Sequence, residues 1–125
     1  MYLPMVTLER MVQNLQRTLT VTLPPRKRAL RPAWQEYGLI PIPAKDRNFF
    51  PGRDIPFIIC TDIGDIETHC TSANSDVSIG DRKEWKYIAK GITKWYRHHP
   101  RLRPGDKVQF TVIEPYRVYR ARLVY

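Results

Sequence analysis

Arg26, Lys27, Arg28 and Arg31 crowd the stretch 24–37, PPRKRALRPAWQEY, where no acid appears before Glu36. A guanidinium fork matches phosphate oxygens and guanine edges through paired hydrogen bonds, and a lysine adds a mobile point charge. Trp34 and Gln35 follow, an aromatic plane and an amide that both donates and accepts. A second polar stretch, 73–84 (ANSDVSIGDRKE), offers Asn74, Ser75, Asp76 and Ser78 and then Arg82 and Lys83, with Lys86 just beyond. Such composition describes most surface loops, and the second stretch gains interest only beside the first. Together these side chains suit recognition of a polyanion better than they suit bond-breaking chemistry.

Catalysis has one candidate. Glu84 and Lys86 have the E-x-K spacing of a metal-dependent nuclease strand, in which the carboxylate holds Mg²⁺ and the lysine orients water. Asp62, Asp65, Asp76 and Asp81 supply upstream acids. The spacing is common by chance in a basic protein of this length, and here it straddles a loop–strand boundary instead of lining a cleft. His69, His98 and His99 with Cys60 and Cys70 raise the question of zinc, yet His69 and Cys70 are strand neighbours that point to opposite faces, and no paired-ligand spacing occurs. There is no glycine-rich phosphate loop, nucleophile elbow or Ser/His/Asp set. The sequence therefore predicts no catalytic residue, no metal and no cofactor.

With 125 residues the chain has the size of one domain, and its formal charge is +9 with a pI near 9.9. That balance fits a nucleic-acid binder, an anionic membrane surface or mere thermal-stability chemistry, so the position of the charge matters more than its total. No apolar run is long enough for a bilayer span, and the N-terminus lacks a secretory leader pattern. Two cysteines without C-x-x-C spacing, out of register across a hairpin, read as free thiols in a reducing compartment. The expected location is cytoplasmic, or the nucleoid or nucleus according to the cell.

The elements that must position these residues are punctuated by proline and glycine. Leu8, Met11, Val12 and Leu15 recur at helical spacing, so 1–18 reads as a helical extension. Residues 19–23 (LTVTL) alternate as a strand and stop at Pro24 and Pro25. Residues 39–43 form an edge strand, because Pro41 and Pro43 cannot donate to a ladder. A short helix follows at 44–50, ended by Pro51 and Gly52. Residues 55–61 are nearly continuously apolar, which predicts a strand buried on both faces or set in a barrel wall. A turn at 62–65 leads into a return strand, 66–72, with Ile66, Thr68 and Cys70 inward. Residues 85–89 read as a strand and 92–99 as a helix whose Trp95 and Tyr96 plug the end of a barrel. Strands at 107–113 and 117–125 finish the chain, with Val108, Phe110, Val112, Tyr119, Ala121, Leu123 and Tyr125 inward. The count is seven strands in a mainly-β α+β domain over 19–125: a partly open antiparallel pseudobarrel capped by two short helices, plus the N-terminal helix.

The order of these elements resembles the DNA-binding pseudobarrel family: the plant B-three transcription-factor domain and the recognition domains of EcoRII-like restriction endonucleases. The resemblance rests on IPIPAKDRNFFPG (40–52), PFIICTDIGDIETHCTSA (56–73) and WYRHHPRLRPGDKVQFTV (95–112), and spans 19–125. It implies a barrel gripping the major groove of double-stranded DNA with two arms. The matching positions are 24–37, with Arg26, Lys27, Arg28, Arg31, Trp34 and Gln35, and 73–84, with Asn74, Ser75, Asp76, Ser78, Arg82 and Lys83. Lys86 extends the second set. The expected partners are duplex DNA and a separate effector protein, with no membrane, for a monomer or weak homodimer serving restriction–modification or transcription regulation. The first arm is longer and richer in proline than the family pattern. An RNA-binding or protein-interaction barrel and a small nuclease are the alternatives.

Overall fold

Strand β1 (Thr18–Thr22) turns its threonines outward and buries Leu19 and Val21, the alternation that its sequence dictates. In the computed structural model the described residues are 18–24, 34–35, 38–73, 76–80 and 91–125. The helical stripe at 8–15 and the strand expected at 85–89 lie outside them. After β1 come β2 (Ile40–Ile42), a 3-10 turn (Ala44–Phe49), β3 (Phe57–Thr61), β4 (Gly64–Thr68), β5 (Cys70–Ala73), β6 (Asp76–Ile79), helix α1 (Gly91–His98), β7 (Lys107–Glu114) and β8 (Val118–Val124). The domain is mainly β with α+β character, as the periodicities predict.

Eight strands are thus present among the described residues, in two sheets, where seven in one barrel were expected. The larger sheet runs β1-β7-β8-β3-β4 and the smaller β2-β6-β5. β2 is an edge strand, and Pro41 there leaves no ladder donor missing from a sheet centre. The return strand 66–72 is split. The chain leaves the larger sheet at Thr68 and enters the smaller at Cys70, with His69 between them. With 85–89 outside the described residues, two strands exceed expectation: one from this split and one from DVSI, which pairs with both β5 and β2 (Ser78 opposite Thr71 and Pro41). One strand pair is parallel, Ile58–Cys60 of β3 against Val118–Arg120 of β8, and an isolated parallel bridge joins Arg53 to Cys70.

The core gathers the inner faces of both sheets. Phe50, just past the 3-10 turn, stands among Phe49, Phe57, Phe110 and Tyr119, with ring centroids 4.9–5.9 Å away. Ile92, Trp95 and Tyr96 of α1 are buried against the same cluster. β3 behaves as a wall strand: Phe57 and Ile59 are buried and Ile58, between them, is 37% exposed. One inward assignment fails. Tyr125 is 61% exposed, one residue beyond the last ladder pair, Lys107 with Val124.

Candidate nucleic-acid interface

Pro24, just past β1, and Trp34, ahead of β2, flank the first cationic stretch, and one hydrogen bond joins them. Trp34 Nε1–H donates to the Pro24 carbonyl at 2.8 Å. The Trp34 ring packs edge-on against Tyr96 (centroids 5.4 Å), its carbonyl accepts from Leu39 N–H at 2.9 Å, and only 2% of its surface is exposed. This overturns the expectation that Trp34 contacts DNA: a side chain so deeply covered presents no face to a base. It is instead the staple at the base of the arm, with the half-buried Gln35 beside it. Arg26, Lys27, Arg28 and Arg31 lie outside the described residues.

From that staple the chain runs straight into a tight junction. Gly38 has φ +68°, and a Cβ there would overlap Thr93 Oγ1 and stand 2.8 Å from Thr93 N. Glycine is required at this point both for its dihedral and for the approach of α1. Tyr96 Oη–H donates to the Leu39 carbonyl at 2.6 Å, and burial holds its phenol well above the usual range. Gly80, with φ +105°, comes so close that a Cβ would be 2.8 Å from the Gly38 carbonyl oxygen and 3.3 Å from Ile92 Cδ1. The end of β6, the start of β2 and the first turn of α1 therefore meet at one point. The flanks of residues 81–90, which hold Arg82, Lys83 and Lys86, adjoin the root of 25–33.

The second arm needs redrawing. Within 73–84, Asp76–Ile79 is the middle strand of the smaller sheet and Ile79 is fully buried. Ser78 is half-buried on that strand and Asp76 pairs with Ala73 at its start. Asn74, Ser75, Arg82, Lys83 and Lys86 lie outside the described residues, as does Glu84. The register puts the 74–75 turn next to Val77 and Ile42, whereas Gly80 sits by Ile79 and Ile40 at the other end of β6. The two halves of the expected arm thus flank opposite ends of one strand. Alternation of Val77 and Ile79 was the available signal, obscured by the turn-forming residues around it.

Charge follows the same junction. Residues 24–35 carry four cations and no acid, and residues 85–105 carry six (Lys86, Lys90, Lys94, Arg97, Arg101 and Arg103) and no acid. Against a net charge of +9, the rest of the chain is left one negative charge in excess. The second of these runs is what motif reading missed. Its signal was the absence of Asp and Glu over twenty-one residues, not any spacing.

Elsewhere the ionisable groups are tied up in structure. Asp62 Oδ1 accepts from Trp95 Nε1 and Oδ2 from His99 Nε2, each at 2.8 Å, and His99 Nδ1 hydrogen-bonds to the Tyr125 hydroxyl. Partial desolvation pushes the Asp62 carboxyl up, but the donors from Trp95 and His99 outweigh it and hold the group below the usual range. Cys60 and Cys70 are free thiols. Burial raises both, Cys70 to about 11, so neither is a thiolate near neutral pH. Among the described residues no group of three or more His, Cys, Asp or Glu is arranged to hold a metal, and no helix is long and apolar enough to cross a membrane.

The described residues define a mainly-β α+β fold built on two sheets. No family model and no curated protein sequence matches the chain. Solved structures share its fold, two of them as follows. The hypothetical Arabidopsis thaliana protein At1g16640.1 aligns with a TM-score of 0.51 at 12% identity, over 85% of this chain and 87% of that one. The N-terminal domain of Helicobacter pylori LlaJI.R1 aligns with a TM-score of 0.54 at 13% identity, over 86% and 80% respectively. At such identities the likeness is one of fold, and it fits the pseudobarrel that the order of elements predicted.

Proposed function

We propose that the protein is a non-catalytic reader of double-stranded DNA, a recognition module for a restriction or regulatory system whose effector resides on another chain. The observation that supports this reading is the approach of Gly38 to Thr93 and of Gly80 to Gly38, beside the Leu39–Trp34 hydrogen bond, which brings described flanks of both acid-free cationic runs near one another. The fold shared with the two solved structures supports it. Arg26, Lys27, Arg28 and Arg31 form one arm, and Arg82, Lys83 and Lys86 the cationic part of the other. Asn74, Ser75, Asp76 and Ser78 belong to a separate hairpin that would touch the duplex beside them. Phosphate contacts fix register, and an arginine fork aimed at a base edge gives sequence preference.

Selection from a random duplex library, carried out at two salt concentrations, tests the proposal. A recovered motif is expected. In Arg28→Ala the preference at one position should relax, at a cost of about 1–3 kcal/mol on the preferred sequence. A library that emerges unenriched at both salts would defeat the reading.

A further inference from the structure

We propose that the outer face of α1 is a phosphate-binding surface that carries the duplex away from the arms, an inference that rests on the DNA reading above. Helix α1 and the turn after it divide cleanly. Ile92, Trp95, Tyr96 and Leu102 are buried, with His99 half-covered between them, while Lys94, Arg97, His98 and Arg101 are exposed. Lys94, Arg97 and His98 follow the i, i+3, i+4 spacing of one helical face, and Arg101 lies in the turn that follows the helix. Like charges so placed repel each other and weaken a helix, and a face shaped for stability would interleave glutamates. Here no acid occurs between residues 85 and 105, and no described carboxylate pairs with Lys94, Arg97 or Arg101.

Length and position agree with this use. From Lys94 to His98 the helical part of the surface runs about 6 Å, and Arg101 continues it in the turn after the helix. One DNA strand advances ~3.4 Å along the axis per phosphate, so the helical part alone spans about two phosphates, and with Arg101 the surface offers three permanent cations. Its first turn is the Thr93 that touches Gly38, so the stripe begins beside the described flanks of the arms. A duplex gripped by the arms would run along it, contacted through its backbone without regard to sequence.

The test compares the unmodified full chain with the triple variant Lys94→Gln/Arg97→Gln/Arg101→Gln. A control, Lys45→Gln/Arg53→Gln/Arg117→Gln, removes the same charge from exposed positions remote from α1. Fluorescence anisotropy across a salt series gives log affinity against log salt. The helix variant should show a slope shallower by about three, with affinity falling by the same factor on every sequence and base preference intact. The control should keep the slope of the unmodified chain. Duplex binding with an unchanged slope in the helix variant, or an equal change in the control, overturns this inference and leaves the DNA reading standing. If the unmodified chain binds acidic protein or anionic vesicles but no duplex, both fall together. All six positions are exposed, so circular dichroism melting should superimpose for the three proteins.

Discussion

Trp34 shows how far a residue's type can mislead about its work. In the string of letters it is an aromatic among arginines, the composition of a nucleic-acid contact. In the fold its indole is a structural clamp, with Nε1–H committed to the Pro24 carbonyl and its ring to Tyr96. Replacing it with phenylalanine keeps most of the packing but removes the donor and strands a carbonyl, which should cost about 1–3 kcal/mol of folding stability. Urea denaturation measures that loss, and base preference in a binding assay should be unaltered. A Trp34→Phe protein of full stability that nonetheless loses DNA affinity would restore the contact role. The cations of 24–35 were legible in the sequence by contrast, because charge needs no neighbour to be recognised.

At the scale of elements, glycine decides how closely α1 can approach the sheets. Gly38 permits the left-handed turn that brings β2 against Thr93, and Gly80 repeats the arrangement from β6. Gly38→Ala should therefore destabilise by about 2–4 kcal/mol, from an unfavourable dihedral and an overfilled contact. Adding Thr93→Ala should recover only part of this, since the backbone N of residue 93 remains in the way. Thermal melts of the two variants give the comparison, and full recovery in the double variant would show that the side-chain hydroxyl alone was in conflict. β1, β2, the 3-10 turn, α1 and β7 were all legible within a residue or two, because alternation, helical spacing and proline stops are local. The division of 66–72 at His69 and the strand at Asp76–Ile79 were not. Both come from a change of sheet partner, and no residue in ETHCTSANSDVSI announces one.

For the whole molecule, the distribution of charge sets the mode of association. Ten cations fall in two acid-free runs of the sequence and the remainder is close to neutral, so on the proposed reading these runs should steer a duplex to the protein. If about six phosphates are neutralised, log affinity should fall with log salt at a slope of roughly −5. Anisotropy titrations at graded salt read this directly, and a slope near zero would mean that the cations do not face the ligand. Duplex RNA should compete poorly, because its deep, narrow major groove does not admit the same arms.

Composition and periodicity by themselves determined a mainly-β α+β fold, the place of most of the described strands and both short helices, and a cationic character. These are properties of neighbours in the chain, and they survive without knowledge of the fold. Tertiary structure alone decided the parallel pairing of β3 with β8, the exposure of Ile58 and Tyr125, and the burial of Trp34. It alone joined Gly38, Gly80 and Thr93, residues more than fifty positions apart at the extremes, into one junction. Such contacts are set by which surfaces remain to be covered once the sheets have formed, and that competition involves the entire chain at once.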